Sequence, residues 1–336
     1  MRAIIADVRR GAFGSVSWLA LALLLVAAVL AHLLASGVFT IPEVWKGLMS
    51  GPGDSPEQMV LWSIRLPRVC AAALVGAILS VVGAAFQSLF RNPLADPYII
   101  GVSSGAAVGG AIASILGLST LLGGTGAFAL AFLTALGGLV LVIIASRGRG
   151  GLALSSLLIA GAAVGSFLWA LVTFFLAYAG QDASRILYWL LGSFVSMDWQ
   201  RVTMLAIVGA LGYLVLYRNA RPLTLMAVGE ESSARLGVET ERIKWSTLLV
   251  CTAMAAGAVA AVGIVGFVGL FVPHIGRRLF GAQLEVLLPA SAVLGAASVV
   301  LADLLAQRII PGQEINIGVL TALIGAPFLM LLLRNR

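Results

Sequence analysis

The sequence predicts an all-α, polytopic membrane protein, and three observations carry that prediction. Of its 336 residues, 60% are hydrophobic and only 10% charged, with a mean hydropathy of +1.06, whereas a soluble domain carries about a quarter charged residues. The apolar residues fall in blocks close to the ~20 that a helix needs to cross a bilayer. The blocks also lack the alternation of apolar and polar residues that marks a transmembrane barrel strand. The whole chain, 1–336, therefore reads as a single transmembrane domain.

Ten spans are predicted, at 18–35, 67–86, 98–116, 126–145, 152–178, 202–217, 243–262, 264–279, 286–305 and 317–333. The first follows Arg2, Arg9 and Arg10, as a signal peptide would. Its apolar stretch exceeds the ~7 to 15 residues of a signal-peptide core, so it reads as a retained helix. The third follows Asn92-Pro93 and Asp96-Pro97, each a helix cap with proline at the first helical position; the first pair starts a turn and the second starts the span at Tyr98. Gly101, Gly105 and Gly109, followed by Ala113 and Gly117, put small residues on one face of that span, and Gly161 and Gly165 do so on the fifth. Such faces allow close packing, within a subunit or between subunits. Only glycines separate the seventh span from the eighth.

An even number of spans leaves both termini on one side, and 15 of the 21 lysines and arginines then share that side, against 6 on the other. The positive-inside rule makes it the cytoplasmic side. The net charge of +7 and pI of about 10.1 follow from this topology, and no nucleic-acid partner is needed to explain them. Outside lie the polar stretches 36–63 and 179–201; in the latter, SRILYWLLGSF reads as an interfacial helix with Tyr188 and Trp189 at headgroup level. Inside, residues 218–244 read as two short helices divided by Gly229 and Gly237, with Glu230 and Glu231 favourably placed at a helix start.

Catalytic signals are weak. Residues 101–105 match G-x-S-x-G, but a nucleophile elbow needs a preceding strand and a partner histidine, and a proline-started membrane helix surrounds this one. Packing is the expected role of Ser103 and Ser104. The only histidines are His32 and His274. Cys70 and Cys251 have no metal-binding spacing and read as small buried hydrophobes. Asp303 is the one clear intramembrane acid. A lone charge at mid-span costs about 2.5 to 3.5 kcal/mol, so a partner is expected, with Gln307 and Arg308 as candidates. Structural pairing and a role beside a translocation path both remain open for it. Neither lysine sits in a P-loop, since Lys46 precedes glycine and Lys244 precedes tryptophan. ATP-driven transport would therefore need a separate ATPase subunit.

RLPR at 65–68, then GAxxSxxGAxxQxLFRNPLADPxxxGVSSGA at 76–106, resembles the FecCD-type permeases. These are the membrane subunits of type II ABC importers for iron-siderophore complexes, heme and cobalamin. LLIAGAAVG, YWLLGSF, LMAVGEESSARLGV, VGFVGLFVPHIGRRL, LADLLAQ and IGVLTALIGAPFLMLLLR continue the match in the family's order. The resemblance implies ten-helix subunits forming a homodimer in the lipid of the cell's inner (plasma) membrane. It further implies two cytoplasmic ATPase subunits that bind ATP and Mg, and a periplasmic or lipid-anchored substrate-binding protein outside. It places coupling helices at about 222–238, with Glu230, Glu231, Ala234, Arg235 and Gly237 matching the coupling motif. It assigns Arg65, Arg68 and Arg308 to docking of the binding protein, against a plainer reading as arginines snorkelling to the interface. It puts the cytoplasmic gate at Asn92 and Leu94 and, at the start of the fifth span, at Ser155. QEINIG departs from the family pattern at Ile315 and Asn316.

The expected function is ATP-driven import of an iron chelate, ferric siderophore or heme, with cobalamin as the alternative cargo and no enzymatic activity in this chain. The other classes are an ion-coupled secondary transporter, for which Asp303 alone is a poor supply of coupling charge, and a membrane-embedded hydrolase.

Overall fold

The computed structural model describes residues 2–34, 39–118, 125–146 and 154–334, with side chains from residue 18 onward except at 332 and 333. Arg147, Arg149 and Arg336, the predicted span ends at 35 and 152, and the side chains of Arg2, Arg9 and Arg10 lie outside this description. Among the described residues the structure is helical, with one isolated bridge between Ile310 and Gln313.

The helices are α1 (Arg2–Leu34), α2 (Ile41–Ser50), α3 (Pro56–Met59), α4 (Leu66–Leu89), α5 (Val102–Ile115), α6 (Thr125–Ser146), α7 (Leu154–Tyr178) and α8 (Ala183–Leu190). They continue as α9 (Trp199–Arg218), α10 (Ala220–Val228), α11 (Glu230–Arg235), α12 (Thr240–Val262), α13 (Val268–Phe280), α14 (Leu284–Arg308) and α15 (Ile317–Arg334). Each of the ten predicted spans coincides with one of them. Six are long and apolar enough to cross a membrane: α6, α7, α9, α12, α14 and the run Pro56–Leu89 that contains α4. Trp18–Leu34, Val102–Ile115 and Ile317–Leu331 are shorter apolar helices, and α13 has 13 residues.

Two boundaries differ from the expectation, for local reasons. The third span begins at Val102 because Gly101 takes φ +79° and breaks any helix running through it. Asn92 and Asp96 do not cap a helix; the Oδ1 of each accepts the N–H two residues on, at 2.9 Å from Leu94 and 2.8 Å from Tyr98, making two successive Asx turns. Between α12 and α13 the segment 263–267 is not helical, and Phe267 holds φ +67°. Non-helical backbone at membrane depth is tolerated only inside protein; here Val265 is buried, and its carbonyl accepts from Tyr98 Oη at 2.9 Å.

α4 is the central helix, buried along nearly its whole length. It crosses α14 where Gly76 meets Gly295 and α13 where Gly83 meets Gly269; at each crossing a side chain would overlap the opposing backbone. The glycine stripe of the third span has the same use within the subunit, since Gly105 and Gly109 lie against the backbone of α6, and Gly161 of α7 lies against the Ile99 carbonyl. Outward, α6, α7 and α9 expose Leu133, Ile144, Phe167, Phe174, Ile207 and Leu211, an apolar surface suited to lipid or to other membrane helices.

Replacing Gly76 by valine should destabilise the fold by about 1 to 3 kcal/mol, the usual cost of overpacking, whereas Gly137→Ala fills open space. Thermal unfolding of the purified protein in detergent should give a lowered midpoint for the first substitution and an unchanged one for the second.

Candidate functional site

The charged residues gather at the two ends of the bundle. At one end Asp303, 1% exposed on α14, accepts two hydrogen bonds from Arg68 of α4, from Nε at 2.8 Å and Nη2 at 2.9 Å. His32 Nε2 of α1 lies 2.7 Å from the same carboxylate. A carboxylate can only accept, so Nε2 carries the hydrogen, and Nδ1 is buried without a hydrogen-bond partner. Gln307 Nε2, one turn on, donates to Asp303 Oδ2 at 2.9 Å. Arg68 also forks onto Glu314 at 3.0 Å from Nη1 and Nη2, and Arg65 Nη1 reaches Gln307 Oε1 at 3.1 Å.

Of the partners expected for Asp303, Gln307 is there and Arg308 is not. Arg308 is exposed at the C-terminal turn of α14, and Arg68 supplies the positive charge. The three arginines singled out for docking therefore differ. Arg68 is buried with its donors taken by Asp303 and Glu314, Arg65 is half-buried, and Arg308 faces solvent. His32 and Arg68 are the partners that sequence reasoning missed, although a signal existed. The predicted topology sets the end of the first span, the start of the second and the end of the ninth at one depth, which is where His32, Arg68 and Asp303 lie.

The same end ties α8 to α15. Asn316 Nδ2 donates to the Tyr188 carbonyl at 3.0 Å, and the N–H groups of Ile317 and Gly318 donate to the carbonyls of Gly192 and Leu191 at 3.1 and 3.0 Å. Asn316, where the sequence departs from the family pattern, thus fastens the short helix to the start of α15. Tyr188 is exposed, while Trp189 is packed against Gly110.

At the other end, α10 and α11 form the predicted pair of short helices, meeting at Gly229 and closed by Gly237 at φ +84°. Glu230 pairs with Lys244 of α12, and Lys244 pairs with Glu241 at 2.9 Å, so Glu230 holds α11 onto the bundle. Glu231, Ala234, Arg235 and Gly237 are exposed, with an ion pair of 2.7 Å between Glu231 and Arg235. Val228 and Leu236 flank them, 87% and 70% exposed. Thr224 Oγ1 accepts from the Leu284 N–H at 3.0 Å, fixing α10 to the start of α14.

The Asn92–Leu94 turn joins this assembly through Arg91, whose Nε donates to the Met226 carbonyl at 2.9 Å and whose backbone holds φ +48°. Leu94 lines a cavity of about 10 Å³ with Pro93, Phe267, Phe271, His274 and Phe328, which closes the space between the turn, α13 and α15. Ser155 is exposed in the first turn of α7, and Gly161, further along that helix, touches Ile99 beyond the turn. The G-x-S-x-G stretch is the opening turn of α5, where Ser104 Oγ donates to the Gly101 carbonyl at 3.1 Å.

A membrane-length helical bundle with a pinned pair of short helices at one end is the frame the sequence motifs implied, and the family profile of the FecCD transport family matches residues 23–335. The chain belongs to that family. It is 42% identical to an ABC transporter permease, YvrB of Bacillus subtilis (strain 168), over 85% of this chain and 82% of that one. With the vitamin B12 import permease BtuC of Klebsiella pneumoniae it shares 39% identity over 98% of this chain and 95% of that one. A solved inward-facing structure assigned to the metal-chelate type of ABC transporter superposes with a TM-score of 0.80 at 32% identity, covering 95% of this chain and 98% of the other. The chain is thus the permease subunit of an ABC importer, a transport subunit with the type II permease fold.

Asp303→Ala should cost about 2 to 4 kcal/mol, because it takes the buried carboxylate from Arg68 and His32 and leaves Arg68 only the half-exposed Glu314. Arg308→Ala should cost less than about 1 kcal/mol. Chemical unfolding of the two purified variants in detergent measures both.

Proposed function

We propose that two copies of this chain form a homodimer in the cell's inner membrane, with both termini cytoplasmic, and carry a bulky metal chelate inward between them. Two cytoplasmic ATPase subunits bind ATP and Mg and drive the cycle, and a periplasmic or lipid-anchored substrate-binding protein delivers cargo to the outer face. The observation that carries this reading is the α10–α11 pair. It is pinned to α12 and α14 by Glu230 and Thr224, and it presents Val228, Leu236, Glu231 and Arg235 to solvent. Large apolar side chains exposed next to an ion pair, on an element that the bundle holds firmly, suit a surface that receives force from a partner.

The cargo is an iron chelate, ferric siderophore or heme, and the likeness to the structure assigned to the metal-chelate type supports that class. Cobalamin, itself a cobalt chelate, is the second reading, favoured by the near full-length similarity to BtuC. Specificity sits chiefly in the binding protein. On the outer face Arg65 and Arg308 meet acidic residues of that protein, while Arg68 positions Arg65 through Asp303 and Gln307. Asn92, Leu94 and Ser155 close the cytoplasmic mouth.

Reconstituted with its ATPase and binding protein, the chain should take up either a labelled ferric chelate or labelled cobalamin when ATP is supplied; uptake of neither would sink the cargo reading. Leu236→Asp should leave ATP hydrolysis running while transport falls about tenfold or more, the loss expected from one interface anchor worth ~1.4 kcal/mol. Reversing Arg65 and Arg308 to glutamate should slow association with the binding protein, most strongly at low salt, as read by surface plasmon resonance.

A further inference from the structure

A cavity of about 380 Å³ opens at the cytoplasmic end, lined by Gln87 and Ser88 at the end of α4, Arg91 and Pro93 in the turn, Ala227 of α10, and His274, Arg277 and Arg278 of α13. Three arginines from two separate segments line it, and no carboxylate does. Among the described residues, none of the three arginines forms a salt bridge. Two of the forks are held in place. Gln87, 3% exposed, donates to the carbonyls of Gly269 and Leu270 at 3.1 and 3.2 Å and accepts from Arg277 Nη1. Arg91 is anchored on the Met226 carbonyl. A guanidinium has five N–H donors, so each anchored side chain keeps most of its donors for another acceptor.

We infer that this cavity binds a phosphate-bearing anion, either a soluble phosphate or the headgroup of an anionic phospholipid. Membrane topology and the partial negative charge at the C-terminus of α13 account for Arg277 and Arg278 taken singly. Neither accounts for Arg91 arriving from a different segment at the same cavity, nor for the buried amide that fixes Arg277. Like charges brought together around one space repel unless an anion sits between them. Guanidinium forks match phosphate oxygens two at a time. An acidic side chain of the ATPase is the competing occupant, but one carboxylate offers only two oxygens to three guanidiniums, whereas a phosphate offers three or four. The bound anion would bridge the Asn92–Leu94 turn to α10 through Arg91 and to α13 through Arg277, and it would do so whichever cargo is carried.

The test uses the transporter assembled with its ATPase subunits, without nucleotide, in nanodiscs of neutral phosphatidylcholine. Its thermal unfolding is followed as sodium phosphate replaces sodium chloride at constant ionic strength, and again in discs containing phosphatidylglycerol without phosphate. Because the ATPase binds phosphate in its own nucleotide site, only the part of the shift that permease substitutions remove counts. Arg277→Gln with Arg278→Gln should weaken the apparent affinity about tenfold or more, the loss expected for a charge-assisted hydrogen bond, and the paired lysine substitutions should keep part of it. A variant-sensitive shift with phosphate in neutral discs identifies a soluble anion, and one that appears only with phosphatidylglycerol identifies the lipid. Shifts that the glutamine variants leave unchanged would overturn the inference. So would variants that release the ATPase without altering any anion response, which would give the cavity to an acidic segment of that subunit. Should the double variant fail to fold, Arg91→Gln with Arg278→Gln removes two cations while leaving the Gln87–Arg277 contact intact, and the same readings apply.

Discussion

The buried carboxylate of Asp303 constrains this molecule more than any other group. A carboxylate removed from water costs several kcal/mol unless partners replace its hydration, and here they come from three helices: Arg68 on α4, His32 on α1 and Gln307 on α14 itself. These interactions require the end of α1, the start of α4 and the end of α14 to meet at one depth. The same two helices, α4 and α14, also meet where Gly76 faces Gly295. Arg65, Glu314 and Arg308 then stand around the network at the rim, so the charge available to a partner is decided by what Asp303 has already taken.

The opposite end is organised by backbone contacts. The Asn92–Leu94 turn, α10 and the start of α14 are joined by Arg91 to Met226 and by Leu284 to Thr224. Two non-glycine residues with positive φ, Arg91 and Phe267, flank the small cavity that Leu94 closes. Conformations of that kind cost of order 1 kcal/mol or more, and they persist where the surrounding packing leaves no alternative. A displacement of α10 would therefore be felt at the turn directly, through the hydrogen bond from Arg91 to the Met226 carbonyl.

The α8–α15 junction shows the same economy at the Asp303 end of the bundle. Asn316 and two backbone N–H groups of α15 hold the carbonyls that end α8, so groups left unpaired at one helix end are satisfied by the start of another. The Asn316 side chain itself caps one of those carbonyls, at a position where the sequence departs from the family pattern.

The sequence by itself determined the helical class, the places of the long apolar helices, the pair of short helices around Gly229 and the family. Each of these depends on local quantities, namely the hydropathy of a continuous segment, the spacing of small residues and the order of motifs along the chain. Where it misjudged a boundary, at Tyr98 and between the seventh and eighth spans, a glycine or a positive φ interrupted a stretch whose hydropathy gave no sign of a break. Only the tertiary structure decided that Arg68 and His32, and not Arg308, meet Asp303, that Gly105 and Gly109 pack on α6, and that Arg91, Arg277 and Arg278 surround one cavity. Those pairings join residues up to 271 positions apart. They follow from which faces the helices turn toward one another, a property of the packed bundle that no single segment encodes.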